Sequence, residues 1–115
     1  MNQLEKLKTR NKIRQLIRIS NRHKDVLRWS SNETENHLNM KFKICKYLKK
    51  KGIEFYSEAI LNNGLRCDII SADEEKIIEV VNSETEKSIA RKKKVYPLEV
   101  VFVDAYQDFR EELIY

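Results

Sequence analysis

The apolar positions along the chain switch between a helical and a strand period several times. Over residues 4–20, Leu4, Leu7, Ile13, Leu16 and Ile17 recur at loose helical spacing with Lys6, Lys8, Arg10, Lys12, Arg14 and Arg18 between them, which predicts a basic amphipathic helix. Residues 21–32 read as a connection or a short second helix anchored by Val26, Leu27 and Trp29, with the Trp29 indole assigned to packing rather than to base stacking. Over residues 33–51, Leu38, Phe42, Ile44, Cys45 and Leu48 form one apolar stripe of a helix that ends at Gly52, a residue suited to left-handed backbone angles. Lys41 and His37 fall inside that stripe and Glu35 lies at its edge. Lys41 is either a stem packed on the core with its head in water, or a sign that this half of the helix faces a polar site. The second account explains why three polar groups arrive together, since Lys and Glu are rarely buried unless paired.

Three short runs rich in Ile, Val, Phe and Tyr follow, at residues 53–61, 65–71 and 76–82, separated by Asn62-Asn63-Gly64 and Ala72-Asp73-Glu74-Glu75. They predict an antiparallel meander. The first turn has two readings. A two-residue Asn-Gly turn pairs Asn62 with Leu65, whereas a three-residue loop with Gly64 left-handed pairs Leu61 with Leu65 and Glu58 with Asp68. The second is preferred because it collects Phe55, Ala59, Leu61, Leu65, Cys67 and Ile69 on one side. A four-residue second turn pairs Ser71 with Lys76 and Asp68 with Glu79. Together these choices stand Glu58, Asp68 and Glu79 side by side on one sheet face, where like charges require a compensating cation.

Ser83-Glu84-Thr85-Glu86 has the form of a capping box, with Ser83 as the cap, so a helix is expected to follow, carrying Arg91, Lys92, Lys93 and Lys94 and stopped by Pro97. Residues 98–105 form an apolar run expected to be a strand buried on both faces, reached by a right-handed crossover and parallel to a neighbour. A short final helix should dock Phe109 and Leu113.

Composition narrows the class. In 115 residues, 41% hydrophobic and 36% charged content describes one soluble globular domain, α/β by the order of its predicted elements, and no apolar run approaches the roughly 18 residues of a membrane span. The basic N-terminus lacks a signal-peptide pattern, so a cytoplasmic location is expected, and Cys45 and Cys67 read as buried free thiols. The net charge is +5, of which residues 1–30 hold +7 and the rest −2. Such asymmetry points to contact with a polyanion, although a solvated helix face is an equally good account of the N-terminal helix.

The order helix, three-strand meander, helix, strand, with an acid at the first helix, an Asp in the second strand and a Glu in the third, resembles the PD-(D/E)XK nuclease superfamily over residues 33–104. The pattern His37, Lys41, Arg66, Asp68, Glu79 and Ser83 is similar to its competence nuclease-like branch. The resemblance implies a restriction endonuclease-like αβββαβ core, a mixed four-stranded sheet flanked by helices, with residues 1–32 as a basic N-terminal helical extension and residues 33–115 as the nuclease-like domain. It implies an Mg²⁺-dependent or Mn²⁺-dependent deoxyribonuclease in which Asp68 and Glu79 bind the metal. Glu58 and Glu35 compete for the place of third acid. Val81 stands where the superfamily carries Lys, so the cation must come from Lys41 or Lys92. Lys8, Arg10, Arg14, Arg18, Arg66, Lys92 and Lys93 are the candidate contacts to DNA, and a homodimer would bring two sites to two strands. The competing reading is an inactive module of the same fold that binds nucleic acid or a protein partner, as Val81 suggests.

Overall fold

The meander, the crossover and their helices assemble as expected at the level of an α/β domain. A computed structural model describes residues 2–82 and 85–115. Its elements are α1 (Gln3–Leu16), α2 (Glu35–Lys50), β1 (Phe55–Ile60), β2 (Arg66–Ser71), β3 (Lys76–Val81), α3 (Glu86–Val95) and β4 (Glu99–Asp104), with short 3-10 turns at Ile19–Asn21 and Glu111–Ile114. The four strands lie in the order β1-β2-β3-β4; the first two pairings are antiparallel and β3 pairs parallel with β4. Among the described residues, no helix is long and apolar enough to cross a membrane.

Local chemistry explains the boundaries. Asn2 caps α1 by accepting the Glu5 N–H, and Thr34 caps α2 by accepting the His37 N–H. Gly52, at φ 72°, terminates α2 in the left-handed conformation that a Cβ would oppose. Thr85 caps α3 by accepting the Ser88 N–H, two residues later than the Ser83 cap expected from the sequence; Ser83 and Glu84 lie outside the described residues. The first turn takes the three-residue form, since Ala59 pairs with Cys67, the Leu61 N–H bonds to the Leu65 carbonyl, and Gly64 sits at φ 90°. Ser71 pairs with Lys76 across the second turn.

The sheet is covered on both faces. On one, Met40, Ile44, Cys45 and Leu48 of α2 pack on Phe55, Ile69, Ile78, Val80 and Val103, and the chain end adds Ile114 with Phe109 and Leu113. On the other, Ile13 and Ile17 pack on Tyr56, Ala59, Cys67, Ile70 and Ile77. Both isoleucines are inaccessible to solvent, so the segment expected as an extension supplies a core layer. It is also bound by polar contacts. Ile17 bridges Leu61, the Arg18 N–H bonds to the Ile60 carbonyl, and the Arg10 guanidinium grips Asp73 at 2.6 and 2.9 Å.

Three expectations need correction. β4 is an edge strand whose residues are mostly half-buried or exposed, because α3 buries no residue against it. Phe42 is 49% exposed, and Met40 takes its place in the core. Trp29 is 62% exposed and so is not a packing anchor; Leu27 alone of the three expected anchors joins the core.

Candidate active site

Strands bury alternate residues on opposite faces, and β3 obeys this rule: Ile78 and Val80 face α2, while Ile77 faces α1. In β1 and β2 the alternation breaks once. Tyr56 and Ala59 both face α1 although three residues apart, as do Cys67 and Ile70. The breaks fall at Glu58, which has φ 48°, and at Asp68 opposite it. A left-handed residue with a side chain is strained, and here it turns both carboxylates toward α2.

The β2–β3 ladder is paired as far as Ile69 and Ile78, and beyond that point side chains replace it. The Asp68 N–H donates to Glu79 Oε2 at 3.0 Å, and the Val80 N–H donates to Asp68 Oδ2 at 2.8 Å. Glu79, on the Ile77 face, is reached from the α1 side by the Tyr96 hydroxyl, which also lies 2.9 Å from the Arg66 carbonyl. The acids therefore do not stand on one common face as expected. Glu58 and Asp68 belong to the α2 side, and Glu79 meets Asp68 through the opening between strands.

From α2, His37 places Nε2 3.2 Å from Asp68 Oδ2 and Nδ1 against Glu33. One turn on, Lys41 is wholly inaccessible to solvent. Its ammonium donates to Glu58 at 2.9 Å, to Glu33 at 3.3 Å and to the Arg28 carbonyl at 2.9 Å, so all three ammonium protons are used. Lys41 thus faces a polar site. The acid serving this half of the helix is Glu33; Glu35 is exposed in the first turn. The spacing Glu33, His37, Lys41, at i, i+4 and i+8, was the sequence signal for one stacked row. Tyr96 was also not foreseen; its position before Pro97 disfavours helical angles, and it caps α3 in an extended conformation.

Electrostatics separate the two central acids. Burial works to raise the Asp68 pKa, but its bonds with His37 and Glu79 outweigh this and hold it below the ordinary carboxylate range. Burial and the Asp68 charge push Glu79 up, so Asp68 keeps the charge and Glu79 the proton. Tyr96 has one phenolic proton for two acceptors, a second reason for Glu79 to hold its own. Burial alone would lower His37, yet the Asp68 and Glu33 carboxylates raise it to about 9, making it an imidazolium at neutral pH.

Two adjacent carboxylates that repel each other fit Mg²⁺, which usually takes one or two protein carboxylates and completes its shell with water and phosphate. They do not form a three-acid set. Glu58 is held by Lys41, and among the described residues no group of three or more His, Cys, Asp or Glu side chains is arranged to hold a metal ion. Of the candidate DNA contacts, Lys8, Arg18, Arg66 and Lys93 are exposed and Lys92 is half-buried, whereas Arg10 is bound to Asp73 and Arg14 donates to the Tyr56 hydroxyl. Both cysteines are buried and free. No protein-family model matches the chain, and neither does any curated protein or solved structure.

Proposed function

We propose that this protein is an Mg²⁺-dependent nuclease that hydrolyses DNA phosphodiester bonds, built on a restriction endonuclease-like core of the PD-(D/E)XK kind. The observation that carries the reading is the Asp68–Glu79 pair, a half-buried and a buried carboxylate brought together at a strand opening. Two adjacent carboxylates are costly to charge together, so the pair argues for a cationic ligand. Mg²⁺ or Mn²⁺ bound there would neutralise charge on the phosphoryl oxygens and make a bound water more acidic.

The chain's own residues have defined parts. Asp68, kept ionised by His37 and the Val80 N–H, is ready to accept a cation. Glu79 must release its proton to join it, and Tyr96 holds that carboxylate in place. Lys41 supplies the cation that Val81 does not, and orients Glu58. Arg66, 63% exposed with Nε 3.9 Å from Glu58, can reach a phosphate. Exposed Lys8, Arg18 and Lys93 would follow the DNA backbone, and a homodimer would present two sites to two strands. The setting is taken to be the cytoplasm.

A second reading, a nucleic-acid-binding module without activity, is favoured by Val81 and by the donors already occupying the acid oxygens. Incubating the protein with plasmid and single-stranded DNA, with and without Mg²⁺ or Mn²⁺, separates the two. Metal-dependent cleavage that disappears in Asp68→Ala and Glu79→Ala is expected. DNA binding without cleavage or calorimetric metal binding would establish the second reading instead.

A further inference from the structure

Trp29 is a large aromatic side chain, 62% exposed, on a backbone held tightly at both neighbours. The Arg28 N–H donates to Ser57 Oγ at 2.7 Å, the Arg28 carbonyl accepts from Lys41 at 2.9 Å, and the Ser30 N–H donates to Glu33 Oε2 at 3.2 Å. Ser57 in turn donates to the Val26 carbonyl. The bonds that fix this loop thus come from the same Lys41 and Glu33 that organise the acid cluster. An exposed indole on a mobile loop would need no explanation, but here the backbone beneath it is set by buried charged groups.

Beside the indole is a cleft of about 190 Å³, lined with Arg28, Ser30, Glu58, Ile60 and Arg66. That is below the roughly 300 Å³ at which pockets begin to hold drug-sized ligands, so it suits a single flat ring with its attached phosphate. Its wall combines an aromatic face, the exposed Arg66, and Arg28, whose Nη1 is shielded and has no hydrogen-bond partner among the described residues. An aromatic face beside guanidinium groups is the chemistry that binds unpaired bases: the base stacks and the arginines meet the phosphate. Glu58 belongs both to this cleft and to the Lys41 pair, which places the cleft next to the acid cluster.

We infer that Trp29, with Arg28 and Arg66, forms a stacking site for one unpaired nucleotide of DNA next to the acid cluster, so that the preferred substrate is single-stranded or carries an unpaired end. This rests on the nuclease reading for its substrate but not on catalysis, and it can be tested without metal. Trp29 is the only tryptophan in the chain, so its fluorescence reports on the site directly.

A labelled oligothymidylate of about 12 nucleotides, within the site size of small single-strand binders, is titrated in EDTA with both anisotropy and tryptophan emission recorded. Emission should be quenched as the strand binds, and a duplex of equal length should quench less. Trp29→Ala should weaken single-strand binding on the order of tenfold or more while leaving duplex binding unchanged, and Trp29→Phe should retain most of it. Circular dichroism checks that both variants fold. Anisotropy that reports binding without quenching, or a Trp29→Ala variant that binds both forms as the parent does or loses both equally, would overturn the stacking site and leave the nuclease reading standing. Absence of binding to either form at low salt would overturn the stacking site as well, while the nuclease reading is decided separately by the metal-dependent cleavage assay.

Discussion

On the proposed nuclease reading, Glu79 is where chemistry and stability are opposed. Its folded pKa is raised, so its protonated form is the one the fold favours, and each rise in pH through that pKa adds charge beside Asp68. Glu79→Gln keeps an oxygen for the Asp68 N–H and an amide for Tyr96. It should raise the melting temperature by roughly 4 °C, the response to about 1 kcal/mol in a domain of this size, while abolishing cleavage. His37 sets a second pH dependence. Its pKa moves from 6.5 to about 9 on folding, so the folded state holds an extra proton between those values. The stabilisation is complete below about pH 6.5 and is lost as pH rises through about 9. Thermal melts across that window should show a decline that His37→Gln reduces. Lys41 is the costliest single change at the site. Lys41→Met leaves Glu33 and Glu58 buried without their cation, and a loss of ~3–5 kcal/mol is expected in urea unfolding.

At the scale of elements, α1 is the one whose role changed most between sequence and structure. Its basic residues suggested a helical extension that contacts a polyanion, but the C-terminal end of its apolar stripe is spent on the sheet, with Ile13 and the capping Ile17 inaccessible to solvent, while Leu4 and Leu7 stay exposed. Ile17→Ala should therefore cost the whole domain ~2–5 kcal/mol, measurable in the denaturant midpoint, rather than fray one helix. An appended arm would leave that midpoint unmoved. α3 shows the reverse. It caps well and stops where Pro97 requires, yet buries none of its residues, and its main contribution to the site is Tyr96 at its end.

Across the whole molecule, internal pairing reduces the charge asymmetry, since Arg10, Lys12 and Arg14 meet Asp73, Glu75 and Glu54. Arg10 and Arg14 are engaged with Asp73 and Tyr56, while Lys8 and Arg18 remain exposed. Charges that meet phosphate set how steeply binding falls with salt. Lys8→Ala should reduce the slope of log affinity against log salt by about 1, whereas Arg10→Ala should leave the slope unchanged and lower stability instead. Titrations at several salt concentrations, with urea unfolding of the same variants, distinguish the two roles.

Element order, both turns, the parallel last strand, the Gly52 stop and the nearness of Asp68 to Glu79 were legible in the sequence, because turn chemistry and hydrophobic period are local properties. The face assignment was not. A strict alternation put Phe55, Ala59, Cys67 and Ile69 together, and this chose the correct register for a reason that fails at Glu58 and Asp68, where both strands break their alternation. A backbone kink of that kind depends on what the opposite helix offers, here Lys41 and His37, and no local spacing encodes it. The same holds for Tyr96 and for the exposed Trp29, whereas Glu33 over Glu35 was readable from its i, i+4, i+8 spacing with His37 and Lys41. Which polar groups share one buried space is decided only when the helix settles on the sheet and each charge must find a partner.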